Sequence, residues 1–213
     1  MAKVLLSTAS SRRRMWLSDR LQGAEAELDF SSLNDEEPSP ATGIGVGFQV
    51  EEVCISKAKA AIAEIDDSGG SELPDYIVVA DTLVEDPDDS LIAMGKPRDR
   101  SSAVSMLLRL SGRRHRVWSS TGILRPPGAD LEGVEIKDGW TFWVWTEFSI
   151  VEFGDLDEDT MVRLIESDSW AGKAGGYDLA GEAKNVVDLI EGQEVTVLGF
   201  SPGAIEYLMK QVC

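Results

Sequence analysis

The run YIVVA at residues 76–80 constrains the fold most. Five consecutive apolar residues leave the segment no polar side to turn to water. A strand of that kind is buried on both faces, so it belongs in the centre of a sheet, with other parts of the chain covering each face.

The rest of the sequence supplies a sheet and its cover. KVLL (3–6) reads as a short buried strand, and the hydroxyl-rich stretch after it turns into a helix over about residues 11–22. Ser10 is its N-cap, and Trp16, Leu17 and Leu21 form its buried side. NDEEPSPATGIGVG (34–47) reads as a loop. VEEVCISKAKAAIAEI (50–65) reads as a helix with Val53, Ile55, Ala58, Ile62 and Ile65 near one face. TLVEDPDDSLIAMGKP (82–97) is hairpin-like, 99–111 is a helix stopped by Gly112, and HRVWSSTGILR (115–125) is a strand. WTFWVWTEFSIVEF (140–153), rich in aromatic and β-branched residues, is a long β segment expected to pair with 115–125. An acid-capped helix (157–167), a glycine-rich loop (170–181), a short strand EVTVLGF (194–200) and a helix opened by Pro202 close the chain. Helices and strands alternate without strict regularity around one central hairpin. This predicts an α/β protein of α+β character, a mixed β-sheet with flanking helices, in one domain over 1–213.

Composition narrows the chemistry. No apolar run is long enough to span a bilayer, and the short N-terminal apolar stretch has its basic cluster on the wrong side for a secretory signal, so a soluble, cytoplasmic protein is expected. The two cysteines, Cys54 and Cys213, have no metal or disulfide spacing. With His115 as the single histidine, a bound metal would need oxygen ligands, which points to magnesium or manganese. A formal charge of −18 disfavours nucleic-acid binding.

Against that charge, STASSRRRM (7–15) gathers three arginines where a helix begins. Backbone N–H groups, serine hydroxyls and guanidinium forks there suit phosphate oxygens. On charge alone, solvated arginines explain the same residues. Asp81, directly after the apolar run, is placed either to hold a metal or take a proton from water, or to cap a turn. Asp35 and Glu36, Lys57 and Lys96 each read singly as solvated charge. His115 reads as a structural strand residue, and the tryptophans at 140, 143 and 145 as core and sheet cover.

Taken in order, these pieces resemble the Maf family of nucleotide pyrophosphatases. STASSRR (7–13) matches its A-S-x-S-P-R-R loop, with Ser11 in place of proline. Asp35 and Glu36 match its acidic pair, VCISKA (53–58) its L-A-x-x-K-A, IVVADT (77–82) its strand ending in A-D-T, and Gly95–Pro97 its G-K-P. AVSMLLRLSGRRHRV (103–117) and KAGGYDLAG (173–181) match two further motifs, so the likeness covers nearly the whole chain.

The resemblance implies two lobes around a cleft, similar to inosine triphosphate pyrophosphatases. It also implies hydrolysis of a nucleoside triphosphate between the α- and β-phosphates, with Mg²⁺ or Mn²⁺. Asp81 would be the proton acceptor. Ser10, Arg12, Arg13, Lys57 and Lys96 would line the phosphate site, and Glu36 with Asp81 would hold the metal. A homodimer is within expectation; membrane and nucleic-acid partners are not. Three family positions go with base choice: Arg, Thr and Gln in members acting on dTTP and UTP, with Trp first and Glu third in those acting on 7-methyl-GTP. Here they are Arg12, Thr82 and Ala180. Alanine has no side-chain hydrogen bond for a base, and Asp178 and Glu182 stand nearby as substitutes. A dTTP or UTP substrate, or a modified nucleotide removed as housecleaning, is the first expectation. The alternative is a non-catalytic, nucleotide-binding regulator of cell division.

Overall fold

The computed structural model describes residues 1–33, 39–68, 73–129 and 133–213. Among them a mixed sheet has strand order β2-β1-β3-β5-β7-β6, with β4 beside β3 and β8 beside β7. The strands are β1 (Ala2–Ser7), β2 (Ala26–Ser31), β3 (Tyr76–Glu85), β4 (Ala93–Met94), β5 (Arg114–Arg125), β6 (Val134–Lys137), β7 (Trp140–Phe153) and β8 (Val187–Glu191). The helices are α1 (Ser11–Arg20), α2 (Val46–Ser68), α3 (Arg100–Leu110), α4 (Glu158–Glu166), α5 (Glu194–Leu198) and α6 (Pro202–Val212). The α/β expectation, a mixed sheet flanked by helices, holds.

The central strand is longer than its apolar run. β3 continues through Asp81 and Thr82 to Glu85, because β5 pairs with it from Ile77↔Leu124 to Val84↔Val117. Asp81 therefore sits inside the strand rather than at its end. β5 pairs with β7 over Arg114↔Glu152 to Arg125↔Thr141, the hairpin partner expected.

Side chains alternate between the two faces of the sheet. On one face, Val78, Ala80 and Ile123 join α1 and α6 in an apolar cluster with Leu6, Leu17 and Phe200. Further along the same face, Val84, Val117 and Phe153 pack with α3 and α4 through Leu107, Leu110 and Leu164. A polar strip, Thr82 paired with Ser119, separates the two clusters. These clusters are the two lobes. On the opposite face α2 covers Ile77, Val79 and Leu124 with Cys54, Ala58 and Ile62. Farther along, Val46 and Val50 pack on Leu83. Asp81, Ser120 and Thr146 interrupt this face at the same level.

Two segments depart from expectation. EVTVLGF holds a short helix, α5, instead of a strand; Gly199, at φ 118°, ends it in the left-handed region. AELDFS and VDLIE form edge strands β2 and β8.

Candidate active site

The cleft opens where the sheet forks. β1 pairs with β3 only from Val4↔Tyr76 to Leu6↔Val78, and then diverges. Ser7–Arg13 form one wall, the edge of β3 the floor, and residues 171–177 with the Lys96 turn the other wall, around a cavity of about 700 Å³. The second wall is one unit: the Gly175 N–H donates to the Gly95 carbonyl at 3.0 Å, tying the glycine-rich loop to the turn that carries Lys96.

The first wall explains the three arginines. Ser10 caps α1, its hydroxyl accepting from the Arg13 N–H at 3.4 Å, and Ser11 begins the helix. The first helical position is where proline is tolerated, so serine there leaves the cap intact. The arginines turn back to other backbone carbonyls. Arg12 Nε donates to Leu198 O at 3.1 Å and Nη2 to Val197 O at 3.5 Å. Arg13 Nε donates to Gly199 O at 2.9 Å. These are the carbonyls a helix leaves unpaired at its C-terminus, so α5 is closed by two guanidinium groups from α1. Gly199 has no side chain for the same reason: a Cβ there would lie 2.6 Å from Arg13 Nε. Arg13 also donates to Ala80 O at 3.0 Å and Thr82 Oγ1 at 2.8 Å, clamping the edge of β3. Arg14 reaches the Thr8 carbonyl and lies over Phe30.

On the floor, Asp81 is buried and ion-paired with Lys57, whose side chain is 12% exposed. Cys54, on the same helix, lies beneath them; burial pushes its thiol up to about 12, and the Asp81 carboxylate adds to the rise. On the second wall Tyr177 is buried, with its hydroxyl 2.8 Å from His115 Nε2. Burial raises the phenol and lowers His115 to about 4, so both are neutral near pH 7.

Ser10, Arg12, Arg13, Lys57, Asp81, Thr82 and Lys96 therefore share one cavity. Ala180 does not line it and is exposed; its N–H donates to Asp178 Oδ1 at 3.1 Å. Glu36 lies outside the described residues. Lys173 and Tyr177 also line the cavity. Their only sequence signal was the KAGGY motif, where a lysine in a glycine-rich loop reads as solvated until the fold turns it inward. Among the described residues no group of three or more histidine, cysteine or carboxylate side chains is placed to hold a metal ion, and no helix is long and apolar enough to cross a membrane.

A forked sheet thus brings five cations and one buried carboxylate around a single cavity of an α/β protein. The chain belongs to the Maf family: the family model described as Maf-like protein matches residues 3–212. It is 31% identical over 207 residues to a dTTP/UTP pyrophosphatase of Burkholderia thailandensis, covering 92% of this chain and 86% of that protein. It is 31% identical over 202 residues to one of Alkaliphilus oremlandii, covering 93% and 90%. A solved nucleoside-triphosphatase, a dITP/XTP pyrophosphatase of Mycobacterium abscessus, matches 70% of this chain and 72% of its own at 15% identity and a TM-score of 0.36.

Proposed function

We propose that this chain is a nucleoside triphosphate pyrophosphatase, one Maf-like unit that hydrolyses the α–β anhydride to a nucleoside monophosphate and pyrophosphate. The observation that carries the reading is the Asp81–Lys57 pair at the floor of a cleft lined by Arg12, Arg13, Lys96 and Lys173. Relatives named dTTP/UTP pyrophosphatase support the substrate class.

In this reading the triphosphate lies between the two walls. Ser10, Arg12, Lys57, Lys96 and Lys173 contact its oxygens, and Arg13 holds the wall they act from. As Lys57 moves to a phosphate oxygen, Asp81 is released to accept the proton of a water. That water adds to the α-phosphorus, the bond to the bridging oxygen breaks, and pyrophosphate leaves. Fixed cations around the developing charge carry most of the acceleration. A divalent cation is expected from the resemblance. Asp81, with Glu36 and the phosphate oxygens, would hold it, and it would neutralise phosphate charge. Asp81 is the one carboxylate lining the cavity among the described residues and is engaged by Lys57, so these residues do not by themselves form a cation site.

For the base, Arg12 and Thr82 stand at the cavity while Ala180 lies off it, which leaves dTTP and UTP the first choice and weakens the third contact. The test is pyrophosphate release from a panel of nucleoside triphosphates with Mg²⁺ or Mn²⁺. Release from dTTP and UTP at the highest rates is expected. Silence toward every triphosphate by folded protein would end the proposal.

A further inference from the structure

A carboxylate stands among the cations of the cleft. Asp178 belongs to the glycine-rich loop of the second wall, and its side chain is 18% exposed. Its Oδ1 accepts from Arg12 Nη1 at 2.9 Å, an ion pair reaching to α1 on the opposite wall. The same oxygen accepts from the Ala180 N–H at 3.1 Å, and Oδ2 lies 3.7 Å from Lys173 Nζ. One carboxylate thus engages two of the cations that line the cavity, while lying outside the lining itself.

We propose that Asp178 is a built-in competitor for phosphate: it holds Arg12 and Lys173 until phosphate oxygens take its place, and so sets how tightly this cleft binds polyphosphate. Carboxylate and phosphate oxygens ask for the same guanidinium and ammonium donors. Arg12 is anchored from behind by its bonds to Val197 and Leu198, so the guanidinium stays in place while Nη1 exchanges Asp178 for a phosphate oxygen. Lys173, at 3.7 Å, is held electrostatically and turns with less loss. The competition also has a use. Without Asp178, Arg12 and Lys173 would lose this carboxylate and hold the pyrophosphate product more tightly; a carboxylate that reclaims them favours release.

The inference rests on the phosphate-site reading but not on turnover, so it is tested by binding. The probe is inorganic pyrophosphate, titrated calorimetrically into the full chain. Asp178→Asn keeps an oxygen for the Ala180 N–H and removes the charge. It is expected to bind pyrophosphate about two- to five-fold more tightly than wild type, the range of an exposed to half-buried ion pair. In an R12Q background the gain should fall below about two-fold, because the main competed partner is gone. In 1 M salt it should shrink, since these charges are partly open to solvent. Asp178→Ser checks that the effect follows charge rather than the amide. Equal affinity in wild type and D178N overturns the proposal. So does weaker binding by D178N, which would mean that Asp178 orders Arg12 for the anion. Absence of pyrophosphate binding in both also overturns it. A wild type that binds pyrophosphate but cleaves no triphosphate sinks the function while the D178N comparison still decides this point.

Discussion

Asp81 and Thr82 are neighbours in the chain, yet they face opposite sides of the sheet and live in opposite chemical states. Around Thr82 every hydroxyl is committed. Arg13 donates to Thr82 Oγ1, and Ser119 donates to Thr196 O at 2.7 Å, which spends the one Ser119 hydrogen. The 2.8 Å contact between Thr82 and Ser119 is therefore donated by Thr82. The chain Arg13, Thr82, Ser119, Thr196 is closed: Arg13 only donates, the Thr196 carbonyl only accepts, and the two hydroxyls between them do both. Asp81 instead meets a flexible lysine at the edge of a cavity. Behind it, Ser120 pairs in register, Thr146 lies 3.0 Å from Ser120, and Thr146 donates to Glu51 at 2.6 Å. One strand thus carries two environments: one face fixes the wall in position, and on the other the Asp81 carboxylate is paired with Lys57, the partner it exchanges on the proposed function.

The largest effect is expected from removing the Asp81 carboxylate. Asp81→Asn is close to isosteric and cannot accept a proton at neutral pH. On the proposed function, kcat for dTTP or UTP should fall by about 10²–10⁴, the range for a lost general base. KM should change little, since Lys57 remains for phosphate. Steady-state kinetics decide this. Activity within a factor of ten of wild type would place the proton acceptor elsewhere.

The second change addresses the closed side. Arg13 reads from sequence as a phosphate ligand, but the fold gives three of its N–H groups to Gly199, Ala80 and Thr82. Arg13→Ala leaves the Gly199 and Ala80 carbonyls without these donors, at a cost of about 1–3 kcal/mol each where water does not replace them. Chemical denaturation should show a loss on the order of 3 kcal/mol. A variant as stable as wild type, with raised KM alone, would turn Arg13 from clamp to ligand and dissolve the contrast between the two faces.

What was legible in the sequence follows the same division. Local signals read well. Ser10 caps α1, Gly112 follows α3, and β5 and β7 pair as their alternation demands. The residues around the cavity were found through ordered motifs, which the fold brings together from distant parts of the chain. Long-range demands did not read. EVTV has the β-branched composition of a strand, but arginines from far along the chain take up the carbonyls at its end, and a short helix results. β3 looked as if it ended at Ala80 because Asp81 is polar. Pairing with β5 carries it to Glu85, and a lysine from α2 accommodates the charge. β2 alternates Ala26, Leu28 and Phe30 against acids, a weak edge-strand pattern that only β1 resolves. Whether Arg13 clamps or binds is a matter of which carbonyls surround it, and no local pattern contains that.

The smallest effect is expected at His115, on the closed face. His115 lies on the same face as Thr82, paired by its ring to Tyr177 and stacked on Phe153, and burial lowers it to about 4. Its usual value is near 6.5, so the unfolded chain binds a proton that the folded chain refuses. Stability contributed by the neutral ring is fully present above about pH 6.5 and is lost as pH falls toward 4. Between about pH 6.5 and 5, where most carboxylates remain ionised, the loss should be about 1.5 kcal/mol. His115→Gln keeps a hydrogen-bonding group for Tyr177 and removes the titration. It should be less stable than wild type at pH 7 but show a flatter stability curve over that window, measured by denaturant unfolding at each pH. If the slope survives in the variant, His115 is not its source. If instead kcat shifts with pH through the same histidine, the closed face takes part in the chemistry after all. The separation of a positioning face from a reacting face would then no longer describe this sheet.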